Sequence, residues 1–243
     1  MKTAIITGAS KGIGRAISIA LAKEHIADAF AIICKNNTKE LEATADIMRS
    51  YNCTVYTYTC DIGSYDEVSS TIESIMAETG SIDILINNAA ISHVGLLSDM
   101  TPSEWQASVN TNLSSVFNTC KSVVPHMIKK HSGKIINISS VWGLVGASCE
   151  VAYSATKGGV NAFTQALAKE LAPSNITVNA IAFGAVDTTM NGHLSETEKA
   201  ELCEEIPIGR MCTPEEAADS VIGLIKMPAY LTGEIIKVDG AWI

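Results

Sequence analysis

The chain has 243 residues, 47% of them apolar and 18% charged, with 26 Asp and Glu against 17 Lys and Arg for a net charge of −9. That apolar fraction is enough for a sizeable core and excludes a largely disordered chain. So acidic a surface argues against general nucleic-acid binding, which needs clustered Lys and Arg, and leaves room only for a local basic pocket.

Short β-branched runs alternate with helical patterns along the chain. They are Ala4–Thr7, Phe30–Cys34, Thr54–Thr59, Ile84–Asn87, Lys134–Ile138, Thr177–Ile181 and Ile235–Val238. Such alternation predicts an α/β fold: one doubly wound Rossmann domain over 1–243, with a seven-stranded parallel sheet and helices on both faces. No linker, repeat or low-complexity stretch divides it. Helix starts are readable at Ser64 with Glu67, Thr101-Pro102-Ser103-Glu104, Ser195 with Glu198, and Thr213-Pro214-Glu215-Glu216, each spaced as a capping box. Pro125, inside an otherwise helical Leu113–Lys130, predicts a kink or an early end. Val160, Phe163, Leu167 and Leu171 recur at helical steps and mark one apolar face.

Cysteines at 34, 53, 60, 120, 149, 203 and 212 are odd in number and scattered, which reads as reduced thiols in a cytoplasmic protein. The five histidines form no His-Glu-x-x-His, so no metal is expected. The first residues lack the apolar stretch of a signal peptide, and Ile26–Cys34, the longest apolar segment, is broken by Asp28 and too short to span a bilayer. No membrane partner is expected.

The first strand runs into Gly8-Ala9-Ser10-Lys11-Gly12-Ile13-Gly14 and a helix. Glycines permit a tight turn and close backbone approach, and a helix N-terminus offers free amide protons to a pyrophosphate. An NAD site usually carries an acid about 20 residues past the glycines. Here the second strand ends in Cys34-Lys35-Asn36-Asn37, without a carboxylate. Lys11, Lys35 and the amides, Asn36 among them, suit a 2′-phosphate instead, so the cofactor is expected to be NADP(H).

Tyr153 and Lys157 stand at i and i+4, on one face of a helix. A nearby cation lowers a phenol's pKa, and moving it from near 10 to about 7 takes roughly 4 kcal/mol. A buried strand ends in Ser139-Ser140, another in Asn87-Asn88-Ala89-Ala90, at the edge where open α/β sheets bind ligands. Asn112 lies mid-helix, where Asn is a mediocre helix former.

Taken together, these residues resemble the short-chain dehydrogenase/reductase family over nearly the whole chain, from Thr7 to Val238-Asp239-Gly240. Within the family, Thr111–Phe117 and Ala152–Lys157 look most like the bacterial 3-oxoacyl-[acyl-carrier-protein] reductases. The resemblance implies NADPH-dependent reduction of a 3-oxoacyl thioester in fatty acid biosynthesis by a homotetramer built on the Leu113–Lys130 and Tyr153–Leu171 helices. It implies Tyr153 as general acid, and Lys157 lowering the Tyr153 pKa and bonding the nicotinamide ribose. Ser140 would orient the carbonyl, and the Asn112 backbone carbonyl at a helix kink would hold a relay water. Asp61 and Ile62 would meet adenine, and Asn88 and Ala89 the adenosine ribose. Thr188 would bond the carboxamide, and a lid would run from there to about Glu205. Lys129 and Lys130 are candidates to meet an acidic carrier at the entrance. Ala90 and Phe183-Gly184 depart from the family's usual Asn-Asn-Ala-Gly and Pro-Gly, and Pro173-Ser174-Asn175 lacks the usual Arg. Two alternatives stay open: a reductase of another carbonyl or alcohol (sugar, polyol, acyl-CoA or small ketone), and a non-catalytic NADP-binding sensor.

Overall fold

All seven β-branched runs become strands in a computed structural model, which describes residues 1–192 and 194–243; His193, inside the expected lid, lies outside the described residues. The strands are β1 Thr3–Thr7, β2 Ala29–Cys34, β3 Thr54–Thr59, β4 Ile84–Asn87, β5 Gly133–Ser140, β6 Ile176–Phe183 and β7 Ile235–Val238. The helices are α1 Gly12–Lys23, α2 Thr38–Arg49, α3 Tyr65–Thr79, α4 Pro102–Val109, α5 Ser115–Lys130, α6 Trp142–Val145, α7 Val151–Leu171, α8 Glu196–Glu205 and α9 Pro214–Lys226.

One parallel sheet carries all seven strands in the order β3-β2-β1-β4-β5-β6-β7. The order reverses between β1 and β4. There the connections leave in opposite directions and open a crevice at the carboxyl ends of the strands. Ala4 and Ile6 of β1 join Ile17, Leu21, Leu41, Met48, Val221 and Ile225 on the face covered by α1, α2 and α9. Ile5 joins Ile72, Ile75, Val116, Val123, Val160 and Leu171 on the face covered by α3, α5 and α7. Burial on both faces is why these strands read as unbroken apolar runs rather than alternating ones.

The helix starts follow their caps, with one exception. Thr101, Ser195 and Thr213 make complete capping boxes with Glu104, Glu198 and Glu216. Ser64 Oγ does accept from the Glu67 amide at 3.4 Å, but the Glu67 carboxylate turns away and accepts from the Asp61 amide at 2.8 Å. Pro125 does not end its helix: α5 continues through it to Lys130. The irregularity lies earlier, in a π-helical turn over Asn110–Ser114, where the Ser115 amide reaches back to the Asn110 carbonyl.

A polar ladder crosses the middle of the sheet. Asn87 Nδ2 donates to Asn137 Oδ1 at 2.9 Å, Asn137 Nδ2 to Thr164 Oγ1 at 2.8 Å, and Thr119 Oγ1 to Asn87 Oδ1 at 2.7 Å, all buried. It locks β4 and β5 to α5 and α7 behind the carboxyl edge.

Candidate active site

The glycine turn lies against the reversal point. Gly8 has φ +68°, and a Cβ on it would lie 2.8 Å from Ala89 Cα. A Cβ on Gly14 would lie 2.3 Å from the Gly8 carbonyl oxygen and 2.4 Å from Asn88 Nδ2. Both positions therefore demand glycine. Asn88 holds this turn rather than facing outward: its Nδ2 donates to the carbonyls of Thr7 at 2.9 Å and Gly8 at 3.2 Å. Thr7 Oγ1 in turn accepts from the amides of Asn88 at 3.0 Å and Ala89 at 3.2 Å. Both Asn88 amide bonds are thus directed into the turn, which places the residue at the wall of the cradle.

Lys11 precedes α1 in an extended conformation, and no side chain caps the first amides of that helix. A cleft of 650 Å³ opens beside them, lined among others by Gly12, Arg15, Thr188 and Lys199. Thr188 caps a short 3-10 turn, its Oγ1 accepting from the Met190 amide at 3.3 Å. Ser10 is buried in the turn and Ile13 packs partly against the core. An anion fits at the helix start: the glycine cradle excludes side chains and the first amides of α1 are uncapped, while the cleft beside them is lined by Arg15 and Lys199 together with Asp187 and Glu215. The arrangement suits a dinucleotide's phosphates.

Lys35 carries an exposed ion pair. Its Nζ donates to Asp61 Oδ2 at 2.5 Å, which raises the lysine pKa and holds the Asp61 carboxyl below its usual range. Asp61 Oδ1 also accepts from the Gly63 amide at 3.0 Å. The two residues expected to contact separate parts of the cofactor are thus each other's partner. Asn36 is exposed beside them, while the Ile62 carbonyl accepts from Asn118 Nδ2 at 3.0 Å. Arg15, passed over in the sequence reading, has no carboxylate partner among the described residues, whereas Lys199 is paired with Glu196 at 2.9 Å. Its signal was positional: a cation in the first turn of the helix that follows the glycines.

Ser140 ends β5, and α7 brings Tyr153 and Lys157 up to it. Lys157 Nζ lies 5.5 Å from the centroid of the Tyr153 ring. It donates to the Ile138 carbonyl at 2.7 Å, and burial pulls its pKa down to about 8. Tyr153 is half-buried; desolvation, then the charge of Glu150, raise its phenol above the usual tyrosine value, and a hydrogen bond with Ser140 pulls the other way. Desolvation thus outweighs the lowering expected from Lys157, whose ammonium is turned toward the Ile138 carbonyl. Glu150 was also missed; its carboxylate accepts from Ser92 Oγ at 2.8 Å.

Asn112 lies in the π-helical turn, and its side chain clamps Ile91: Oδ1 accepts from the Ile91 amide and Nδ2 donates to the Ile91 carbonyl, each at 2.8 Å. Nδ2 also reaches Thr156 Oγ1 at 3.2 Å. The loop after β4 is thereby tied to α7 next to Tyr153. Lys129 and Lys130 do not stand at this entrance. Lys130 pairs with Asp83, which precedes β4, so it lies at the opposite edge of the sheet, roughly 20 Å or more along the strands from Ser140 at about 3.3 Å per residue.

No helix among the described residues is long and apolar enough to cross a membrane, and no three His, Cys, Asp or Glu side chains among them could hold a metal ion.

Comparison with known proteins gives a consistent picture. Residues 2–199 match the family model described as short chain dehydrogenase. The 3-oxoacyl-[acyl-carrier-protein] reductase FabG of Chlamydia muridarum is 40% identical over 98% of this chain and 96% of its own length. FabG of Thermotoga maritima is 37% identical over 100% of this chain and 98% of its own. The uncharacterized oxidoreductase YmfI of Bacillus subtilis is 39% identical over 99% and 98%.

Proposed function

Because the chain belongs to the short-chain dehydrogenase/reductase family and is an oxidoreductase acting between a carbonyl and an alcohol, we propose that it reduces a 3-oxoacyl thioester to the 3-hydroxyacyl product with NADPH. The support comes from Ser140, Tyr153 and Lys157 meeting at the edge of the sheet beside the phosphate cleft, under loops that leave Ile91, Val94, Leu144, Val145 and Met190 exposed. Such an apolar rim suits an acyl chain.

In this reading the amides of Gly12, Ile13 and Gly14, with Ser10, Lys11 and Arg15, hold the NADPH phosphates; Lys35, Asn36, Asp61, Ile62, Asn88 and Ala89 border the adenosine, and Thr188 the nicotinamide. Reduced nicotinamide supplies a hydride when bound. Ser140 Oγ donates to the substrate carbonyl oxygen and fixes its direction, a preorganised donor where negative charge develops. Tyr153 gives its proton to that oxygen as general acid. The raised phenol pKa keeps it in the protonated form at neutral pH, and an alkoxide is basic enough to take the proton. Lys157 would bond the nicotinamide ribose; it stabilises the phenolate left behind, returns a proton to it, and then regains one through water held by the Asn112 backbone carbonyl. Exposed Phe117 and Ile128 on α5 support a homotetramer, and the pattern of thiols a cytoplasmic one.

The test is loss of NADPH absorbance with acetoacetyl-CoA and with the carrier-protein thioester. Faster turnover of the carrier-linked substrate supports fatty acid biosynthesis. A second reading, a reductase of another small carbonyl, is favoured by the charge of α8, which carries five glutamates against one lysine and would repel an acidic carrier. Turnover of small ketones or sugars with none of either thioester would select it. Tight NADPH binding without turnover on any carbonyl would instead favour a sensor.

A further inference from the structure

The residues after β7 turn back over the active-site edge of the sheet. The Asp239 carboxylate accepts from the amides of Ala241 and Ile243, each at 3.0 Å, and fixes that turn. Gly240 has φ +66°, and a Cβ there would lie 2.6 Å from Ile208 and 3.0 Å from Ile206, just past α8. Its carbonyl accepts from the Ile208 amide at 3.3 Å. The turn sets the indole of Trp242 against that of Trp142, ring centroids 4.9 Å apart and planes at 62°, an edge contact favoured by the aromatic quadrupole.

Trp142 is two residues beyond Ser140, and its amide donates to Ser140 Oγ at 3.2 Å. It opens α6, which has four residues and none of them buried. A single helical turn has no stability of its own, so α6 holds its place only through what packs on it. On the inner side, a Cβ on Gly143 would lie 2.7 Å from the Lys157 carbonyl carbon, and Asn161 Nδ2 donates to the Gly143 carbonyl at 3.0 Å. On the outer side stands Trp242. The segment that aims Ser140 is therefore wedged between α7 and one indole.

We propose that Trp242 is a positioning residue for the carbonyl reduction, holding the Ser140 hydroxyl in its working orientation through Trp142. The proposal rests on the reductase reading above. Removing the indole takes away the outer support of α6, and the bond from the Trp142 amide to Ser140 Oγ is held less firmly. Ser140 acts most strongly where charge builds on the carbonyl oxygen, so the loss falls on kcat rather than on KM. The glycine turn is untouched, so NADPH affinity stays the same.

The experiment compares the wild-type chain with W242A and W242F, using acetoacetyl-CoA and NADPH. It also follows amide hydrogen exchange in residues 139–146 and the circular-dichroism couplet that two close indoles give. W242A is expected to lose the couplet, to exchange faster in 139–146 but not in β1 or β4, and to lose about 10-fold in kcat with KM changed less than about 2-fold. W242F restores most of the rate. If W242A does not fold, W242L keeps the bulk without the aromatic edge and is expected to move the same way. Unchanged kcat in W242A or W242L overturns the role of Trp242 alone, as does a loss that W242F fails to restore. A wild-type chain that reduces no carbonyl overturns the reductase reading, and the proposal with it.

Discussion

Lys157 directs its ammonium to the Ile138 carbonyl at 2.7 Å while standing 5.5 Å from the Tyr153 ring. It is 3% exposed, and burial lowers its pKa from 10.5 to about 8. Below pH 8 the charge is present in both folded and unfolded chains, and the cost of burying it is fully felt. Between 8 and 10.5 the unfolded chain binds the proton and the folded chain does not, so stability rises with pH across that window. Lys157→Met is expected to stabilise the fold at pH 7 by up to about 3 kcal/mol, less about 1 kcal/mol for the lost bond to Ile138. The gain should shrink as pH approaches 10.5, which denaturant titrations at pH 7 and 10 would show. In the same variant kcat should fall about 100-fold or more, the usual scale for losing a group that supports proton transfer.

Tyr153→Phe is expected to abolish turnover while leaving NADPH affinity nearly unchanged, since the phenol oxygen is the proton donor and the phosphate cleft lies at another strand. Fluorescence titration with NADPH alongside steady-state rates checks this. A fully active variant would refute the assignment.

Glu150 raises the Tyr153 pKa by its charge, after desolvation. Glu150→Gln removes the charge and keeps a group able to accept from Ser92. The phenol pKa should then fall, and the pH profile of alcohol oxidation, which needs the phenolate, should move to lower pH. A profile that stays in place would mean that Glu150 acts only as a tether for the loop after β4.

Lys11 immediately precedes α1 and Arg15 lies in its first turn. Arg15→Ala should raise the NADPH dissociation constant about 10- to 100-fold, the scale of one or two charge-assisted hydrogen bonds, and leave NADH almost unaffected. Lys11→Ala should act in the same direction with a smaller effect, because Lys11 is exposed. Equal losses for both dinucleotides would contradict a 2′-phosphate at this end.

Gly14→Ala places a methyl group 2.3 Å from the Gly8 carbonyl oxygen and 2.4 Å from Asn88 Nδ2. It should cost about 1–3 kcal/mol in stability as the turn shifts, and weaken NADPH binding as well. Thermal melts with and without NADPH would register both effects.

Strands and caps were legible because burial on both faces and the first turn of a helix each select residue types locally. Tyr153, Lys157 and Ser140 were legible for a similar reason: helical spacing and a strand end place them together whatever the rest of the chain does. Pairings between distant segments left no such local mark. Lys35 and Asp61 are 26 residues apart and meet only because β2 and β3 are neighbours in register. The same holds for Asn88 with the glycine turn. The π-helical turn at Asn110–Ser114 has no composition of its own: local composition pointed to Pro125, and only the family resemblance placed a kink at Asn112. The direction of the Tyr153 shift depended on how much water reaches the ring, and spacing carries no information about that.

The Asn87–Asn137 bond fixes more than a local contact. Successive residues of a strand point to opposite sides, so a slip of one position between β4 and β5 would separate these amides and drive one into hydrocarbon without a partner. The ladder therefore acts as a register key at the centre of the sheet. It penalises misaligned pairings during folding, in the two strands whose ends must later deliver Asn88 and Ser140 to the same crevice.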